Sequence, residues 1–309
     1  MNRMKNLSAL FLVLLLSLSL TFPAFAEEKE TGTAPIAENL ELTTYRGVSV
    51  GGTLSAVDPD GGTITFEVTT NPTKGSVELS DDGSFTYTPK EGKKGKDYFG
   101  FRAIDNDGNT SQEATVLITI RKQSGCVTYS DMDGNAAENA AVYLAENDIF
   151  VGEYVGGSYV FSPDSTVTRG EFLAMCMKVA EINLLDGVSS TGFSDDSEIP
   201  AWQKPYVSTA LMNGMVSGYT DSEGNNTFCA NTPVSYYEAA VIVNNVLGLS
   251  NVSVSASEDT AVPTWAEQAN ANVYSCSILN GVHLETLDSL SRAKAALMVC
   301  NAVQVLENR

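Results

Sequence analysis

The chain has 309 residues, with 18 Lys and Arg against 38 Asp and Glu, a net charge of −20. A charge of that sign and size argues against nucleic acid and anionic membrane surfaces as partners. The length is enough for two or more cored domains.

Residues 1–26 read as a secretory leader. Arg3 and Lys5 are its charged start, Leu10–Leu20 its apolar stretch, and Ala24-Phe25-Ala26 a small-x-small cleavage site. The apolar stretch is short for a membrane span, and no later run approaches 18 apolar residues, so a secreted chain without membrane insertion is expected. Residues 27–33 are expected to be a disordered N-terminus. Past the leader the charge is uneven: residues 27–126 carry 10 bases and 16 acids, residues 127–309 only 6 bases and 22 acids. A cation in the second part is scarce enough to need a reason.

Residues 34–121 consist of short runs with period-two alternation. Ile64, Phe66 and Val68 share a face, as do Phe99, Phe101 and Ala103, and Val116, Ile118 and Ile120. Asp, Gly and Pro turns at 58–62, 71–75 and 91–96 separate the runs, the pattern of an all-β immunoglobulin-like sandwich. AVDPDGGTITFEV (56–68), KGSVELSDDGSFTYTP (74–89), DYFGFRAIDNDG (97–108) and ATVLITI (114–120) resemble the bacterial cadherin-like and immunoglobulin-like modules of surface proteins. In such modules aspartate clusters bind calcium, which makes Asp58, Asp60, Asp105 and Asp107 the metal candidates; the competing reading is that Asp-Gly pairs build turns. No cofactor other than this calcium is implied. The sequence names no partner for the sandwich.

A short linker, 122–126, precedes a half that repeats itself, and limited freedom between the two halves is expected. Three units follow, 127–186, 187–250 and 251–309, the last degenerate. Each has a first helix (within 138–147, 203–213 and 266–275), a glycine expected to stop it (Gly152, Gly218, Gly281), a polar loop, and an apolar second helix. Thr168 and Glu171 form a capping box before the second helix of the first unit, and Ser235 and Glu238 one in the next. A single helix pair of this kind cannot bury its apolar face; three can share one helical core.

Arg169 has no part in that box. A cation at a helix start is unfavourable against the helix dipole, and helix starts attract anions. Either Arg169 is a solvated surface arginine or it binds an anion.

FSPDSTVTRGEF (161–172) closely matches the F-x-P-x-x-x-[VI]-T-R-A-E segment of S-layer homology repeats, and Tyr129-Ser130-Asp131 and Phe193-Ser194-Asp195 match their aromatic-x-Asp start. The second unit has SYYE and the third SRAK in place of TRAE, and the third lacks the opening aromatic-x-Asp. The resemblance implies a mainly α-helical, pseudo-threefold domain that holds secreted proteins to the cell wall, or S-layer, by binding secondary cell-wall polysaccharide, a peptidoglycan-linked polymer often capped by a pyruvate ketal. It makes Arg169 the first binding candidate and Arg292 the second. Tyr236 fills the arginine slot of the second unit and offers a ring for a sugar face. Asp131, Asp195, Trp202 and Trp265 are further groove candidates. For the tryptophans the competing role is core packing, and for the aspartates capping of the following turn.

The alternative is a structural S-layer or protein–protein assembly unit whose degenerate repeats no longer bind sugar. An enzyme is not indicated: His283 is the one histidine, no G-x-S-x-G or H-E-x-x-H occurs, and no segment is left to house a catalytic cleft. The five cysteines have no metal spacing and suggest no disulfide framework.

Overall fold

The computed structural model describes residues 32–125, 127–253, 262–282 and 289–307. The leader, Cys126 and His283 lie outside them. No helix among the described residues is long and apolar enough to cross a membrane.

Nine strands build the first domain: β1 (Ile36–Ala37), β2 (Leu40–Tyr45), β3 (Val50–Thr53), β4 (Ala56–Val57), β5 (Thr65–Thr70), β6 (Gly75–Leu79), β7 (Ser84–Pro89), β8 (Gly95–Ile104) and β9 (Ala114–Arg121). A four-stranded sheet in the order β2-β9-β8-β5 faces a three-stranded sheet β3-β7-β6, with the pair β1-β4 beside them. All pairings are antiparallel except β2 with β9. The alternating residues foreseen in the sequence meet between the sheets: Phe99, Phe101, Val116, Ile118 and Tyr87 are fully buried.

The helical half contains α1 (Glu138–Glu146), a hairpin of β10 (Glu153–Val155) and β11 (Ser158–Val160), α2 (Arg169–Val179), α3 (Lys204–Met212), a hairpin of β12 (Tyr219–Thr220) and β13 (Asn226–Thr227), α4 (Tyr236–Leu247), α5 (Glu267–Ser275) and α6 (Arg292–Glu307). The second helices α2, α4 and α6 touch one another at the centre. Each first helix packs on the second helix of the preceding unit: α3 on α2, α5 on α4 and, closing the ring, α1 on α6. The centre is tied by three backbone hydrogen bonds in a cycle. Val167 N–H donates to Leu290 O (3.0 Å), Leu290 N–H to Val234 O (2.9 Å), and Val234 N–H to Val167 O (3.0 Å). These three side chains are fully buried. This is a pseudo-threefold arrangement.

Two expectations need correction. The polar loops of the first two units contain β-hairpins. Gly152, Gly218 and Gly281 do not stop the first helices, which end at Glu146, Met212 and Ser275. Gly152 and Gly218 instead enter the hairpins, with φ of 75° and 72°. A Cβ there would meet a carbonyl of the returning strand, Val160 O at 2.6 Å or Thr227 O at 2.5 Å. Glycine is needed on both counts.

The two halves share a filled joint. Tyr45 and Val48 of the sandwich pack into the helical core. Asn139 Nδ2 donates to Thr43 O at 3.1 Å. The linker amides of Ser124 and Gly125 donate to the Glu146 carboxylate at 2.6 and 2.8 Å.

Candidate functional site

Both capping boxes close. Glu171 N–H donates to Thr168 Oγ1 (3.3 Å) and Thr168 N–H to Glu171 Oε2 (2.9 Å). Ser235 and Glu238 do the same at 3.4 and 2.8 Å. The boxes fix where α2 and α4 begin, and hence place Arg169 and Tyr236 at the first helical position.

The start of α2 does not present a free anion site on its backbone. Arg169 N–H donates to Thr232 O (2.9 Å) and Gly170 N–H to Ala230 O (3.0 Å) of the next unit. Those contacts draw the chain of the second unit across the helix start. Gly170 replaces the alanine of the motif, and the side chain of Gln203, buried at 2% exposure, fills the space an alanine methyl would need.

The Arg169 side chain is not a solvated surface cation. The residue is 7% exposed. Its guanidinium carbon lies 4.7 Å from the centre of the Tyr219 ring and 5.2 Å from that of Phe228, a cation held on two aromatic faces. Nη1 is 3.9 Å from Glu238 Oε1, too far for a hydrogen bond. Glu238 is committed elsewhere: Oε2 accepts from Ser235 N–H and Oε1 from the Tyr219 hydroxyl. Burial and that bond to Glu238 push the Tyr219 pKa well up, so the phenol stays protonated. Arg169 Nε is buried with no partner, and the guanidinium donates no hydrogen bond to any described residue. Three other cations of this half differ. Lys178 donates to Asp148 O and Ile149 O, Lys204 to Asp196, and Arg292 to Phe161 O.

Arg169 lines a groove of about 370 Å³ with the 214–219 segment, Glu238, Ile242 and Trp265. Residues of all three units therefore meet there. Trp265 is 61% exposed and Trp202 is 54% exposed, so neither is a core residue. The groove thus joins two sequence candidates, Arg169 and Trp265. It also includes Tyr219, which the sequence reading missed because nothing local marks a tyrosine after a glycine as an arginine's platform.

The remaining candidates have other places. Asp131 and Asp195 do not cap the turns after them. Asp131 accepts the amides of Phe161 and Ser162 (2.9 and 2.7 Å), and Asp195 those of Phe228 and Cys229 (2.9 and 2.8 Å). Each clamps the exit of its hairpin. Tyr236 is buried beside Tyr237 and Ala266, with its hydroxyl bonded to Asn270 Oδ1 at 2.8 Å, so its ring has no open face for a sugar. Arg292 stands at the start of α6, with Glu153 3.5 Å away. In the sandwich, Asp58 accepts the amide of Asp60, Asp60 that of Thr33, and Asp105 those of Asp107 and Asn109. The bonds of Asp58 and Asp105 build local turns, and that of Asp60 holds Thr33, 27 positions away. Among the described residues no three His, Cys, Asp or Glu gather into a metal-holding group.

The fold and this groove make a helical ring with an arginine-and-aromatic cleft, carrying a β-sandwich. Comparison with known proteins agrees with both halves. Residues 32–122 match the bacterial cadherin-like domain and residues 192–240 the S-layer homology domain. Among curated relatives, the chain is similar to the surface-layer 125 kDa protein of Lysinibacillus sphaericus, 24% identical over 187 residues, which are 57% of this chain and 15% of that protein. It is similar to exoglucanase XynX of Acetivibrio thermocellus, 26% identical over 191 residues, 57% of this chain and 17% of that one. The amylopullulanase of Thermoanaerobacterium thermosulfurigenes is 29% identical over 137 residues, 42% of this chain and 7% of that one. The chain thus spans less than a fifth of each of these relatives. With its two matched domains and its surface-layer relative, the chain is a protein of the bacterial cell wall or S-layer surface.

Proposed function

We propose that this chain is a surface protein held non-covalently on the cell wall by its helical half, which displays the cadherin-like sandwich. The Arg169 groove takes an acidic group of a secondary cell-wall polysaccharide, such as a pyruvate ketal. Trp265 lies against the sugar ring and the guanidinium fork donates to the carboxylate. The observation that carries this reading is Arg169 itself: a charge held on two rings, opening on a groove, with no hydrogen-bond partner among the described residues. A buried guanidinium whose N–H groups find no acceptor is costly unless something satisfies them.

Two of the relatives are named as glycan-degrading enzymes. The part shared with this chain is proposed to be their anchor and not their catalyst. The test is co-sedimentation of the mature protein with cell-wall sacculi, intact or acid-stripped of secondary polymers. Binding to intact sacculi alone is expected. Equal recovery with stripped sacculi, or none with either, contradicts the reading and turns attention to an assembly role.

A further inference from the structure

The pseudo-threefold sets a second arginine at a helix start, among different residues. Arg292 opens α6 as Arg169 opens α2. Its N–H donates to Ser165 O at 2.7 Å and that of Ala293 to Pro163 O at 3.0 Å, the first-unit counterparts of the contacts made by Arg169 and Gly170. Its guanidinium carbon lies 5.3 Å from the centre of the Phe150 ring. Arg292 Nε, like Arg169 Nε, is buried and unpartnered.

The rest of the guanidinium is occupied. Nη1 donates to Phe161 O at 3.2 Å, and both terminal nitrogens approach Glu153 Oε1 at 3.5 Å. Glu153 follows Gly152 into β10 as Tyr219 follows Gly218 into β12. The two glycines have the same hand and the same carbonyl obstruction, so each hairpin presents its next residue to the arginine alike. Arg169 has a phenol at that point and Arg292 a carboxylate.

We propose that Glu153 is a built-in partner of Arg292 that closes this arginine to anionic ligands, leaving this chain one anionic site and not two. The proposal rests on the reading of the Arg169 groove given above. An incoming carboxylate would have to displace Glu153 and then sit beside it. The Glu153 side chain is 61% exposed, so this is competition between charges and not a steric block. Like charges a few ångströms apart near a protein surface are expected to weaken anion binding at least tenfold. Tyrosine at position 153 would restore the platform that Tyr219 gives Arg169.

The test is calorimetric titration of the mature chain with the methyl glycoside of a pyruvate-ketal hexosamine. One site is expected in the wild type, two in Glu153→Tyr, and one again in Glu153→Tyr combined with Arg292→Ala. Thermal melting, expected to be unchanged in Glu153→Tyr, checks the fold. Two sites in the wild type, or one site in both the wild type and Glu153→Tyr, overturns the role of Glu153. No heat from the wild type with one site in Glu153→Tyr keeps that role and removes the one given to Arg169. No heat from either protein overturns both.

Discussion

At the scale of single residues, a buried carboxylate organises the sandwich. Asp97 accepts from the Thr73 amide and hydroxyl, the Lys74 amide and the Tyr87 hydroxyl. Burial alone would raise its pKa. The hydrogen bonds, led by that from Tyr87, outweigh burial and hold the pKa below the ordinary carboxylate value. A depressed carboxylate stabilises the fold above its unfolded pKa, about 3.9, and that stability is lost as pH falls through the lower folded value. The sandwich is therefore expected to weaken from Asp97 only below about pH 4. Asp97→Ala strands the buried Tyr87 hydroxyl and is expected to cost about 2–3 kcal/mol at pH 7. Urea melts at pH 7 and pH 3 check this: the gap between wild type and variant should narrow in acid, and a constant gap would contradict it. The sequence concealed Asp97 because its four donors are contributed by residues 10 to 24 positions away. Asp131 and Asp195 were misread for the same reason, since the amides they clamp lie 30 to 34 positions downstream. The Thr168–Glu171 box was legible because both partners lie within one helical turn.

At the scale of elements, the hairpins set the grooves. β12 and β13 have two residues each, too short for alternation to mark them in a sequence. Their geometry depends on the glycines that enter them. Gly218→Ala must accept both a left-handed backbone and a Cβ pressed on Thr227 O, and is expected to cost well over 2 kcal/mol. Gly224→Ala, also at positive φ (87°) but with nothing within 4 Å, should cost about 1–2 kcal/mol. Equilibrium denaturation of the two variants separates obstruction from backbone strain, and equal losses would show that the carbonyl contact is unimportant. The helices were readable because each repeats its apolar residues at helical spacing. Their partners were not: nothing in the spacing of α1 indicates that it packs on α6 from the other end of the domain.

At the scale of the molecule, the ring has no independent part. First helices pack on the preceding unit and the central hydrogen bonds run in a cycle, so removing the third unit strips α1 of α6 and α4 of both α5 and α6. A chain ending at residue 250 is expected to lose the cooperative helical transition in thermal circular dichroism while the sandwich transition persists. A helical half that still melts sharply would contradict ring closure. The balance of charge makes a second prediction. Residues 127–309 carry 6 bases and 22 acids, so an acidic polymer is repelled at long range and held at short range. Raising ionic strength from about 0.01 M to 0.15 M shortens screening from about 30 to 8 Å and should strengthen binding to sacculi, the reverse of simple ion exchange.

The central claim is that Arg169 makes the contact. Co-sedimentation with intact sacculi, comparing wild type with Arg169→Ala and Arg292→Ala, tests it most directly, with thermal melting to verify the fold of each. Loss of a charge-assisted hydrogen bond should weaken Arg169→Ala by about tenfold or more, with Arg292→Ala binding like the wild type. Wild-type binding by a folded Arg169→Ala would contradict the account.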